Sequence, residues 1–167
     1  MPVISNTSPL LNLAIIDHLF LLPQQFRQII IPQAVLVELK IDDGLPGSSV
    51  LKTAVDEGWL VVKTVETQAL VNLLKRDLHQ GESEAIALAI ELAADRILLD
   101  EKEARQTARA LSLSITGVLG ILLRGWKDGT VKSLREAIIR LQQDANFRIS
   151  PALVTQILQI SGEPTES

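Results

Sequence analysis

Five oxygen-bearing side chains sit where this chain turns from one element into the next. Asn6 follows the apolar pair Val3-Ile4 in "VISNTSPLLNLA", and Glu38 is the only acid in "PQAVLVELK". Glu82 and Glu84 open "GESEAIALAIELAAD", and Asp100 closes "RILLD". Carboxylate and amide oxygens gathered around one crevice are the hard ligands that hold Mg²⁺ or Mn²⁺. Such ions activate water and neutralise charge on a phosphodiester in the transition state.

Each residue also has a plainer explanation. Ser8-Pro9 reads as an N-cap followed by proline at the first helical position, which leaves Asn6 either idle or closing an Asx turn. Glu38 lies near the C-terminus of its helix, where the macrodipole disfavours a carboxylate by about 0.3–1 kcal/mol. Lys40, an arginine or a metal would compensate it, and Val35 and Leu39 place it beside the inward stripe. Glu82 and Glu84 are both favoured at a helix start, but they point about 200° apart, so one of them enters a site. Glu82 shares its face with Ala85, Ile86, Ala89 and Ala93, whereas Glu84 shares the wetter face of Leu88, Glu91 and Asp95. Glu82 is therefore the better candidate. Asp100 begins "DEKE", which has the form of a capping box with Glu103.

Positioning these residues requires strand ends and helix starts in regular alternation. Val3-Ile4, "QIIIP", "WLVVKTV", "RILLD" and "LSIT" read as short strands. Between them run "PLLNLAIIDHLFLL", "PQAVLVELK", residues 50–57, residues 66–76, "GESEAIALAIELAAD" and "EKEARQTARAL" as helices, and "GVLGILLRGWKDG" follows the last strand. That alternation predicts βαβ units and a mainly parallel sheet covered on both faces. In such sheets the binding crevice lies at the carboxyl ends of the strands. From about residue 130 the pattern is helical only, with Ser150-Pro151 repeating the Ser-Pro start. One domain over residues 1–167, with a C-terminal helical addition at about 130–162, is expected.

Composition narrows the function classes. The 167 residues are 47% hydrophobic and 22% charged, the signature of a folded chain with a full core. Cysteine is absent, which excludes disulfides, thiolate metal sites and cysteine nucleophiles. With no signal segment or bilayer-spanning run, a cytoplasmic protein is expected. A net charge of −4 argues against a protein that merely grips nucleic acid, although metal-binding carboxylates contribute to it.

In the order "SNTSPL", "VLVEL", "GESEAIALA", "ILLD", "AR", "TG" and "FRISPALVTQIL", the sequence resembles PIN-domain proteins, in particular a small prokaryotic branch. The resemblance spans nearly the whole chain. It implies a PIN-like three-layer α/β/α fold with a mainly parallel central sheet and extra C-terminal helices. Carried over, the family's acidic positions fall on Asn6, Glu38, Glu82 (with Glu84 as alternative) and Asp100 (with Glu101 as alternative). It also implies a Mg²⁺- or Mn²⁺-dependent ribonuclease acting on RNA, in many relatives the toxin paired with a small antitoxin, and often a homodimer. Asn6 departs from the pattern, because most PIN nucleases carry aspartate there. Three carboxylates in place of four hold a divalent ion less tightly, so a module that binds RNA or a protein without cleaving is the competing expectation.

Lys102, Arg105 and Arg109 recur at helical spacings just after Asp100, where they could guide an RNA backbone or simply form a solvated face. Thr116-Gly117 marks another strand end, and close helix packing is the expected reason for Gly117 and Gly120. His18 and His79 lack ligand spacing and read as structural. Tyrosine is absent and aromatics are 3%, which argues against a base-stacking platform for sequence-specific RNA. Trp59 and Trp126 read as core or interface anchors. A receiver-like module lacks both its acidic pair after the first strand and its lysine after a late one.

Overall fold

The computed structural model of the chain describes residues 2–164. Its centre is a five-stranded, all-parallel sheet in the order β3-β2-β1-β4-β5. The strands are β1 (Val3–Ser5), β2 (Ile29–Pro32), β3 (Leu60–Lys63), β4 (Arg96–Leu98) and β5 (Ile115–Thr116). Register is fixed by pairs such as Ile4 with Ile30 and Ile97.

Side-chain alternation along these strands divides the core into two layers. Val3, Ile29, Ile31 and Leu98 face one side, and Ile4, Ile30, Ile97 and Leu99 the other. The first side is covered by α1 (Thr7–Ile15), α2 (Leu21–Phe26), α4 (Ser48–Asp56), α8 (Val118–Lys127), α9 (Leu134–Asp144) and α10 (Pro151–Ser161). The second is covered by α5 (Gln68–Leu74), α6 (Gln80–Glu91) and α7 (Lys102–Ala110). The remaining helix, α3 (Gln33–Leu39), follows β2, buries Val35 and Leu39 in the first layer and packs against α6. Burial of each such side chain contributes about 1.5–3 kcal/mol. The architecture is the three-layer α/β/α sandwich that the alternation of elements predicts. Trp59 and Trp126 are half-buried against the first layer.

Three local expectations are corrected. The apolar run "PLLNLAIIDHLFLL" forms two helices, because Asp17 takes a left-handed φ of 61°. The Asp17 N–H then donates to Ala14 O at 3.2 Å and the His18 N–H to Leu13 O at 2.8 Å, closing α1 in a Schellman motif. Ser8 is not the cap of α1: the helix starts at Thr7, and Asn6 holds the N-cap position. Pro9 is accommodated inside the first turn, where no N–H needs an intrahelical acceptor. Asp100 does not cap α7 either. Glu101 is in that position, and Asp100 stands one residue earlier.

The C-terminal helices are tied back at named points. Arg140 of α9 donates to Ile16 O at 2.7 Å and pairs with Asp17 at 3.0 Å, so the break after α1 is also the anchor of α9. Ser150 caps α10 by accepting from the Leu153 N–H at 3.2 Å, as its Ser-Pro sequence predicts. Among the described residues no helix is long and apolar enough to cross a membrane.

Candidate functional site

Strand order 3-2-1-4-5 places the topological switch between β1 and β4, where a crevice opens at the carboxyl edge of the sheet. Asn6 sits at that point, its N–H donating to Leu98 O of β4 at 3.0 Å. Helices run antiparallel to the strands they follow or precede, so the starts of α1, α3, α6, α7 and α8 gather at the same edge. Their partial positive charges favour anionic groups there.

A cavity of about 420 Å³ at this edge is lined by Asn6, Thr7, Glu38, His79, Glu82 and Glu101, among others. Asn6 is only 4% exposed, and its Oδ1 is buried without accepting any hydrogen bond. As an N-cap residue it makes no side-chain cap bond, so the usual explanation for asparagine at a helix start does not apply. Glu38 reaches across from the second turn of α3, accepts a hydrogen bond from the Thr7 hydroxyl, and lies against Gly81 in the first turn of α6. That contact answers the unfavourable dipole of its own helix: its carboxylate is placed at the N-terminus of another.

Glu82 is 6% exposed and accepts from the His79 N–H at 3.0 Å through Oε1. Burial pushes its carboxyl above the usual range, and the nearby charges of Glu101 and Glu38 push the same way, against the His79 hydrogen bond and charge. Glu84 points elsewhere. Its Oε1 accepts from the Ala34 N–H at 3.3 Å at the start of α3, and its Oε2 accepts from Gln80 at 2.5 Å. Of the two acids in "GESE", the one on the small-residue face is the one at the crevice.

Asp100 lies beside this cavity and lines two adjoining ones. Its Oδ1 accepts from the Val118 N–H at 3.0 Å, capping α8 from the end of the neighbouring strand, and its Oδ2 is buried without a partner. Burial raises its pKa to about 6, with Glu101 adding to the rise and the Val118 bond and Arg105 opposing it. The close approach explains Gly117, where a Cβ would stand 2.6 Å from Asp100 Oδ1. The glycine admits a carboxylate rather than a packed helix, which corrects the expectation for it. Arg105 flanks Asp100, while Lys102 and Arg109 are exposed further round α7.

Hence Asn6, Glu38, Glu82 and Glu101 come together, Asp100 stands alongside, and Glu84 is engaged elsewhere. Nothing in the local sequence marks Thr7 or Arg148 as lining these cavities, although Thr7 adjoins Asn6. His79 acts through its backbone, whose N–H fixes Glu82, in keeping with a structural role.

A protein-family model described as a PIN domain matches residues 2–163. The chain belongs to the PIN-domain family. No curated protein and no solved structure matches it significantly. PIN domains have a nuclease-type fold and are generally divalent-metal dependent.

The oxygens of this PIN domain are chemically suited to such an ion. Among the described residues no three acidic or imidazole groups stand close enough to enclose one by themselves. Mg²⁺, however, is typically held through one or two carboxylates with water completing its shell. An amide oxygen with no hydrogen bond, beside a carboxylate whose protonation is favoured by burial and, less, by two neighbouring acids, is a donor set that a cation would stabilise.

Proposed function

We propose that this PIN domain is a Mg²⁺- or Mn²⁺-dependent ribonuclease that hydrolyses phosphodiester bonds at the carboxyl edge of the sheet. The observation that carries the reading is the meeting of Glu38, Glu82 and Glu101 with the unpartnered Asn6 Oδ1 in one cavity at the topological switch. When bound, a divalent ion supplies charge neutralisation at the phosphodiester.

The chain's own residues supply the rest. Thr7 donates to the Glu38 carboxylate, Gly81 leaves room for it at the start of α6, and the His79 N–H fixes the rotamer of Glu82. Asn6, Glu38 and Glu82 are the residues that would hold the ion, with Glu101 at the rim. Asp100, with a pKa of about 6, can take up or release a proton near neutral pH at its Oδ2. The same reading extends to a small antitoxin that silences the nuclease and to a homodimer, the latter tested by light scattering of the purified chain.

The test is cleavage of labelled single-stranded RNA with Mn²⁺, Mg²⁺ or EDTA, in wild type and Glu82→Gln. Metal-dependent cutting that Glu82→Gln abolishes supports the proposal; cutting that persists in EDTA or in the variant overturns it. The neutral Asn6 favours a second reading, a PIN module that binds RNA or a protein without cutting. It would show no metal-dependent cleavage in wild type.

A further inference from the structure

The acidic cavity is one end of a longer run of openings. A cavity of about 400 Å³ shares Ser8 and Glu101 with it and is also lined by Asp100, Phe147 and Arg148. A third, of about 570 Å³, shares Asp100, Phe147 and Arg148 with the second and adds Arg105. The three therefore follow one another along the carboxyl edge, and charge changes sign on the way. Glu38, Glu82 and Glu101 line one end, and Arg105 and Arg148 the other.

The largest cavity has the wrong lining for a metal ion. Leu119, Leu123, Phe147, Leu153 and Ile157 make its walls mainly apolar. Among the described residues Arg148 forms no ion pair, so its charge is available to an anion, whereas Arg105 faces the Asp100 carboxyl that lines the same cavity. Apolar walls with an aromatic edge and an available guanidinium group are complementary to a nucleobase and its phosphate. Arg148 is carried by the segment between α9 and α10. The Phe147 N–H donates to Leu141 O at 2.9 Å on one side, and the Ser150 cap fixes the other.

We propose that this cavity seats the nucleotide next to the scissile phosphate, with Arg148 on its phosphate and Phe147, Leu119, Leu123 and Leu153 around its base. The proposal rests on the ribonuclease reading above for the position of the scissile bond. It selects a single strand over a duplex, because a base must leave its stack to enter the cavity. It also makes the C-terminal helical addition part of the binding site. Apolar walls read no Watson–Crick edge, so this position accepts any base.

The test measures binding of a fluorescein-labelled single-stranded oligoribonucleotide by anisotropy in EDTA, so that no cleavage intervenes. Arg148→Gln is expected to bind about tenfold more weakly and to flatten the salt dependence of log K by roughly 0.7, the loss of one phosphate contact on a single strand. Arg148→Lys should restore the salt slope. Phe147→Ala should weaken binding with the slope unchanged, and a duplex of the same sequence should bind no better to wild type than to Arg148→Gln. Arg148 is exposed, so its variants keep the fold, which circular dichroism checks. Equal affinity and equal slope for wild type and Arg148→Gln would overturn the proposal, and if wild type still cleaves RNA with Mn²⁺, the ribonuclease reading survives. If wild type binds with the Arg148-dependent slope yet does not cleave, the ribonuclease reading fails and the nucleotide cavity stands.

Discussion

The Glu38 carboxylate lies so close to Gly81 that a Cβ built there would stand 2.6 Å from each of its oxygens. Glu38 belongs to α3 and Gly81 to α6, so the glycine is what allows one helix to present an acid at the start of another.

Gly81→Ala therefore separates stability from function. Alanine is the better helix former, by up to about 1 kcal/mol in a helix interior, and the group it would strike is the movable end of a glutamate. The melting temperature is expected to hold or rise slightly. Displacing a positioned ligand should cost about 10–100-fold in Mn²⁺ affinity, read by calorimetry, with RNA cleavage falling in parallel. Unchanged metal affinity in Gly81→Ala would remove Glu38 from the site.

Glu82 and Glu84 supply a paired comparison. Glu82→Gln keeps the shape and the hydrogen bond from His79 but removes the charge at the cavity, so metal-dependent cleavage should be lost. Glu84→Gln alters a carboxylate at the start of α3, where it accepts from the Ala34 N–H. It should leave cleavage within about threefold while lowering stability by roughly 0.5–1 kcal/mol, as expected for a weakened helix-start contact. The opposite pattern, with Glu84→Gln inactive and Glu82→Gln active, would reverse the assignment.

Much of this arrangement was legible because it depends on local pattern. Each strand is a β-branched or leucine-rich run, and the face periodicity of "GESEAIALA" puts Glu82 and Glu84 on different faces of α6. What sequence could not supply were partners distant along the chain. Ser8-Pro9 looked like a cap because a Ser-Pro pair usually is one, as at Ser150; packing instead starts α1 a residue earlier. Asp100 looked like the cap of its own helix, but it serves α8, 18 residues on. Arg148 stood in an unremarkable "FRIS", and only the fold of α9 and α10 brings it to the crevice.

Asp100 gives a pH dependence with a definite sign. Its folded pKa of about 6 lies above the 3.8 of a free carboxyl, so the folded chain holds this proton more tightly than the unfolded one. The resulting stabilisation is complete below about pH 3.8 and is lost as pH rises through 6. Urea denaturation in EDTA should therefore show wild type losing stability relative to Asp100→Asn between pH 4 and 7.5, by on the order of 3 kcal/mol at most. Taking the difference cancels the titration of the other acids. Parallel curves for the two proteins would mean that the Asp100 carboxyl is solvated in the folded chain.

Asn6→Asp tests what the neutral amide contributes. Asn6 is buried, its Oδ1 accepts nothing, and the carboxyl of Glu82 nearby is already driven toward protonation by burial and by Glu38 and Glu101. A further carboxylate at this point adds desolvation and like-charge repulsion in the absence of metal. The variant should then melt lower than wild type in EDTA, by several degrees if the cost is about 1–2 kcal/mol. With Mn²⁺ the sign should reverse, because the same charge becomes a ligand and binding stabilises the folded state by RT ln(1 + [L]/Kd). The measurement is the Mn²⁺-induced rise in melting temperature, expected to be larger for Asn6→Asp than for wild type, with cleavage increased in step. An equal metal-induced rise in both proteins would place Asn6 outside the metal site and leave its unpartnered oxygen to a direct contact with RNA.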